Sequence, residues 1–217
     1  MLTLEEFKKA LNLEKRGFVN CHDYEQYGEN YKKNCNDGVV YIDFGFTNGK
    51  YMGISAHIYF KQIEELVAHF PVSPTVIDHH LTISPTKLIG DSVEIYHINK
   101  KTQDIVLTEN NLEDILGLIH QYLTLFYEPF WEKYSVLQTV NDEIIDKIEN
   151  SKMTEYIPGS LMTWKKLAIM KVCNNPNYQS YVAWLDSIWA KKALNEDLSR
   201  NDSYLAYQTL LKKLERL

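Results

Sequence analysis

VVYIDFGFTNGKYMGISAHIYF, running from Val39 to Phe60, decides the fold. Val40, Ile42, Phe44 and Phe46 alternate with Val39, Tyr41, Asp43 and Gly45. After Asn48-Gly49, the residues Met52, Ile54, Ala56, Ile58 and Phe60 alternate with Gly53, Ser55, His57 and Tyr59. A period of two is that of a half-buried strand, and two such runs joined at Asn-Gly predict a β-hairpin. A two-residue Asn48-Gly49 turn would set Phe44 across from Gly53 and Ile42 across from Ser55, apolar against polar. A one-residue slip moves a whole strand to the other face. The alternation therefore predicts a three-residue loop, Thr47-Asn48-Gly49, with a G1 bulge at Gly49, so that Phe44 meets Met52 and Ile42 meets Ile54.

Outward from the hairpin the periods change. Upstream, Thr3 and Glu6 form a capping box, and Leu4, Phe7 and Leu11 share one helical face, so a helix is expected over 4–15 before Gly17. Strands follow near Phe18 to Cys21 and near Tyr31 to Lys33. Downstream, Phe60, Ile63, Leu66, Val67 and Phe70 give a helix stopped by Pro71. Further strands are expected at Val76 to Ile83, Val93 to Ile98 and Ile105 to Leu107. From Asn111 the spacing is wholly helical, with Leu112, Ile115, Leu116, Ile119, Leu123, Phe126, Tyr127 and Phe130 in one stripe that Pro129 should kink or restart. Helices are then predicted over 136–148, from an N-cap at Ser160 to Cys173, over 178–194 after the Asn174-Asn175-Pro176 break, and from a cap at Asp202 to the C-terminus. The fold class is α+β: an N-terminal antiparallel sheet with packed helices, followed by an all-helical C-terminal part. The regions are 1–110 and 111–217, or one continuous domain.

With 217 residues, 45% of them hydrophobic, the chain can bury a core. Glutamates at the start of MLTLEEFKKA do not make an export signal, and the longest apolar run, from Ile115, is interrupted by His120, Gln121, Thr124 and Glu128. A cytoplasmic protein that does not enter a membrane is expected. Cys21, Cys35 and Cys173 have no paired spacing and read as thiols in a reducing compartment. The net charge of −6 is uneven. Residues through Asn150 hold 13 Lys and Arg against 23 Asp and Glu, whereas the remainder holds 10 against 6. So acidic a first part argues against nucleic acid and suits a basic partner.

TVIDHH, from Thr75 to His80, is an apolar run ending in potential metal ligands. It resembles the signature of the DHH phosphoesterases, which implies divalent metals activating a water for phosphoester cleavage. The resemblance covers a few residues only. No Asp-x-Asp pair and no glycine-rich run near the C-terminus accompany it, so a metal site at Asp78 and His80 is the alternative reading. Asp43, Ser55 and His57 share the hairpin, but the expected register pairs Tyr41 with Ser55 and Val39 with His57, putting aspartate beside serine rather than histidine, which a nucleophilic triad does not allow. No phosphate loop, GxGxxG, HExxH or GxSxG occurs. His120 reads as a packed or solvated helix histidine, and Trp164, Trp184 and Trp189 read as core.

Fifteen tyrosines remain to be placed. Tyr41 and Tyr59 fall with Asp43, Ser55 and His57 on the less apolar hairpin face, and tyrosine combines contact area with a polar tip. The expectation is a non-catalytic interaction protein of the inhibitor, immunity or adaptor type. It would bind a basic protein partner through Tyr41, Asp43, Ser55, His57 and Tyr59, without a cofactor. A metal-dependent phosphoester hydrolase is the alternative.

Overall fold

The computed structural model describes residues 2–11, 25–27, 30–47, 50–71 and 105–217. The expected strands at 18–21, 76–83 and 93–98, the turn at Asn48-Gly49, and Asp78 with His80 lie outside the described residues. The chain divides into two compact units, Met1–Ile58 with Pro85–Ser135, and Tyr59–Ser84 with Val136–Leu217. The boundary after residue 110 follows the change in periodicity, whereas this division follows which elements pack together.

The first unit is built on an antiparallel sheet in the order β1 (Glu25–Tyr27), β2 (Asn30–Asn34), β3 (Val39–Thr47), β4 (Lys50–Tyr59) and β5 (Ile105–Val106). The α+β class is thus observed. Helix α1 (Leu4–Leu11) begins with the expected capping box: the Thr3 N–H donates to Glu6 Oε2 at 2.8 Å and the Glu6 N–H donates to Thr3 Oγ1 at 3.3 Å. The Thr3 backbone donor holds the Glu6 carboxyl below its usual range. Leu2 donates its N–H to the Leu107 carbonyl at 2.9 Å, and the fully buried Phe7 ring lies 5.4 Å from that of Tyr51. Helix α1 is thereby fixed beside β4 and β5.

The facing conflict of the hairpin is solved within β4. Thr47 belongs to β3, and a Cβ built on Gly45 would stand 3.0 Å from Met52 Cβ, so Met52 faces Gly45 rather than Phe44. Continued regularly, that register would put Tyr41 across from Ala56 and turn His57 to the other face. The Tyr41 and His57 rings instead stack, 5.4 Å apart and inclined by 18°. Burial shifts in the same place: Tyr51 and Gly53 are buried early in β4, and Ile58 with the following Phe60 at its end. One extra residue between them is a β-bulge, and Gly53, at φ 120°, occupies a conformation that costs glycine little. Beyond it the Tyr41 and His57 rings share a face, and Val40 and Ile58 are both buried. The expected facing of Met52 to Phe44 is therefore corrected to Met52 beside Gly45, with a bulge at Gly53.

The helices of this unit are α3 (Leu112–Tyr122), a π-helical turn (Leu123–Tyr127) and α4 (Glu128–Tyr134). Pro129 accounts for the interruption. It has no N–H to continue the ladder, and the chain widens ahead of it, the Glu128 N–H reaching back five residues to the Leu123 carbonyl. At the far end, Asp37 donates its N–H to the Ser135 carbonyl at 3.1 Å and Asn36 Nδ2 donates to Ser135 Oγ at 3.0 Å. These bonds tie the β2–β3 turn to the end of α4.

The second unit contains α2 (Lys61–Val67), α5 (Leu137–Val140), a π-helical turn (Asn141–Ile145), a 3-10 turn (Asn150–Glu155), α6 (Met162–Val172), α7 (Tyr178–Ala193) and α8 (Asp202–Leu214). Helix α6 is its centre, buried on every side from Lys165 to Met170. The Lys165 Nζ lies 3.0 Å from Glu64 Oε1 of α2, with the two side chains 0% and 3% exposed. His69, past the end of α2, accepts from Lys213 Nζ at Nδ1 (3.1 Å), which leaves Nε2 to donate to the Ala206 carbonyl at 2.9 Å. Phe70 stacks on Trp164 with centroids 4.6 Å apart, and Trp164 in turn lies 5.5 Å from Tyr207.

Two caps differ from expectation. Helix α6 has Leu161, not Ser160, at its N-cap. Helix α8 is capped by Asn201, whose Oδ1 accepts from the Tyr204 N–H at 3.0 Å, and Asp202 is its first helical residue. Asn201→Ala is accordingly expected to cost about 1 kcal/mol in urea denaturation and Asp202→Ala only a few tenths. The reverse order would return the cap to Asp202.

Candidate functional site

The bulge gives the sheet a well-separated inner and outer face. Val40, Ile42, Tyr51 and Ile58 are buried within the first unit, and burial pushes the Tyr51 hydroxyl far above its usual range. On the outer face Tyr41 and His57 stack while both remain half-buried, Gly45 is exposed, and Met52 is 41% exposed. Lys50 pairs with Val106, itself 38% exposed, and Lys32 pairs with Tyr41. Lys32, Tyr41 and His57 thus lie side by side across three strands.

Of the five residues expected to form the contact, the structure brings Tyr41 and His57 together. Asp43 and Ser55 are in β3 and β4, but their side chains lie outside what is described. Tyr59 ends β4, is half-buried, and belongs to the second compact unit. The His57 ring stacks on that of Tyr41, so the two share one face of the hairpin. Among the described residues, no three His, Cys, Asp or Glu side chains are grouped to hold a metal, and no helix is long and apolar enough to cross a membrane. Cys35 and Cys173 are both thiols, and burial raises the Cys35 pKa above its ordinary value.

A cavity of about 390 Å³ in the second unit has no counterpart among the sequence expectations. The π-helical turn delivers Ile145 and Asp146 to it, the next segment Ile148, Glu149 and Asn150, helix α6 Lys166 and Met170, and the start of α7 Tyr181 and Trp184. Its frame is Asn175, whose Nδ2 donates to Asn141 Oδ1 at 2.7 Å and to Asp146 Oδ1 at 2.8 Å, and whose Oδ1 accepts from the Asn177 N–H at 2.8 Å. The tight turn before it places Asn174 at φ 51°, a left-handed conformation that asparagine tolerates.

Lys166 is 6% exposed; its Nζ donates to Asn150 Oδ1 at 2.7 Å and sits 5.0 Å from the centroid of the Tyr181 ring. Burial lowers the Lys166 pKa, opposed by the charge of Asp146, and burial pushes the Tyr181 hydroxyl up to about 12. Tyr181 stacks on Trp184 at 5.3 Å and 23°, and Trp184 is 45% exposed. Trp184 is therefore not core, unlike Trp189. Tyr181, Leu185 and Trp189 make the buried stripe of α7, and residue 184 falls beside it. A lysine pair set in the apolar run LMTWKKLAIM is the sequence signal that marks this region.

Comparison with protein-family models, curated proteins and solved structures finds no match for the chain.

Proposed function

We propose that the chain is a non-catalytic interaction protein of the inhibitor, immunity or adaptor type, and that its outer sheet face meets a protein partner with a basic contacting surface. The observation that carries this reading is the half-exposed Tyr41 and His57 stack, set on a sheet face that also exposes Met52 and Val106. Aromatic and methionine side chains on a rigid, partly open sheet offer contact area at low ordering cost, and such residues dominate binding energy at interfaces. Charge supplies the second element. Residues through Asn150 carry a net −10, and a field of that sign hastens encounter with a basic surface. Lys32, paired with Tyr41, and Lys50, paired with Val106, run against that field.

The test is retention of partner protein from lysate of the source organism by immobilised wild-type and variant chains. Tyr41→Ala should weaken binding by roughly 1–3 kcal/mol, and Lys32→Glu should speed association by removing the opposing charge. Retention should fall between about 50 and 300 mM salt as the screening length shortens. Equal retention by wild type and Tyr41→Ala, or slower association by Lys32→Glu, would sink the reading.

A further inference from the structure

The helical unit carries a second site that the sheet face does not explain. Its cavity lies in the size range of small-molecule pockets, which combine an apolar wall with a few fixed polar groups. The wall is Trp184 stacked on Tyr181, with Ile145, Ile148 and Met170 beside it. The polar groups are unequal in depth. Lys166 is nearly fully buried and spends one of its three N–H bonds on Asn150, so its ammonium retains donors for an acceptor entering the cavity. Asp146 and Glu149 are exposed lining residues of opposite charge.

That arrangement selects by charge. An uncharged hydrocarbon would cover Lys166 without satisfying it, which is costly for a buried ammonium. A dianion such as a phosphate monoester would meet Lys166 at the expense of two carboxylates in the same lining. A molecule with one anionic group and one cationic group, carried on a planar ring, satisfies every feature. We propose that this cavity binds a small ring-bearing zwitterion of the aromatic α-amino-acid class, its carboxylate on Lys166 Nζ, its ammonium toward Asp146 and Glu149, and its ring against Trp184. The ligand's carboxylate would replace the hydration that burial takes from the Lys166 ammonium. The π-helical turn at Asn141–Ile145 belongs to the same arrangement, since its widened backbone carries the Asp146 N–H back to the Asn141 carbonyl at 3.0 Å and so sets Asp146 at the cavity. Such insertions are frequent where a helix must present a side chain for function.

The experiment is calorimetric titration of the full chain with four probes: L-phenylalanine, phenylacetate, phenethylamine and phenyl phosphate. L-Phenylalanine is expected to bind tightest, with loss of either its ammonium or its carboxylate weakening binding about tenfold, the scale of one charge-assisted hydrogen bond. Lys166→Met should remove the preference for L-phenylalanine over phenethylamine. Because a buried lysine is a risk to folding, Trp184→Ala, at a half-exposed position, is the companion variant and should weaken all ring-bearing probes about tenfold. The proposal is overturned if none of the probes binds. It is overturned equally if phenyl phosphate or phenylacetate binds as tightly as L-phenylalanine, or if Trp184→Ala leaves the affinities unchanged.

Discussion

Lys165→Met is expected to destabilise the second compact unit by about 3–5 kcal/mol, the largest effect of any single substitution considered. The Lys165 ammonium and the Glu64 carboxylate meet at 3.0 Å with almost no exposure on either side. Each charge has given up its water, and each is stabilised by the other. Removing the lysine takes the ion-pair partner from a buried carboxylate, and Glu64→Leu does the same to the ammonium. Replacing both is a different case: Lys165→Met with Glu64→Leu removes the desolvation cost along with the attraction, and stability should return to within about 1 kcal/mol of wild type or exceed it. Urea denaturation followed by tryptophan fluorescence reads this directly, since Trp164, Trp184 and Trp189 all belong to the unit concerned. A single variant that loses less than about 1 kcal/mol, or a double variant no better than the worse single one, would contradict the mutual dependence of the two charges.

Gly53→Ala should cost about 1–3 kcal/mol, because alanine must take the φ of 120° on which the bulge depends or else force the bulge to move. Moving it has a wider consequence. A register advanced by one residue in the second half of β4 separates Tyr41 from His57, so the variant should also weaken partner binding. Gly117→Ala is the matched control. It lies exposed inside α3, a Cβ there meets nothing within 4 Å, and alanine should stabilise the helix by about 0.5–1 kcal/mol. Equal effects at the two glycines would contradict the bulge.

The hairpin, the capping box and the helical second half were legible because each is a local pattern: alternation over ten residues, Thr3 with Glu6, or a stripe of period 3.6. Pro129 was legible for the same reason, although its accommodation by a π-helical turn was not, because widening and kinking both answer a missing N–H. The bulge was hidden. The sequence carries a facing conflict, and a glycine either in the turn or in the strand relieves it; only the opposition of Gly45 and Met52 distinguishes them. Of the candidate contact, the neighbourhood of Tyr41 and His57 could be inferred from the shared hairpin face, but not the pairing itself. The cavity around Lys166 was out of reach, because its residues come from three segments whose meeting depends on Asn175 bonding to both Asn141 and Asp146. Trp184 misled by spacing alone: helical periodicity places it within one position of a buried stripe, and one position is about 100° of helix.

The outer sheet face as a contact surface is tested most directly by site-specific photocrosslinking of the full chain, with a benzophenone side chain in place of Tyr41 and, as control, in place of the exposed Glu155. In lysate of the source organism at about 50 mM salt, one protein is expected to be joined at position 41 and none at 155. The linked segment should be rich in Lys and Arg, and the yield should drop sharply at about 300 mM salt. Capture at position 155 alone, or a position-41 adduct whose linked segment is acidic and whose yield ignores salt, would contradict it.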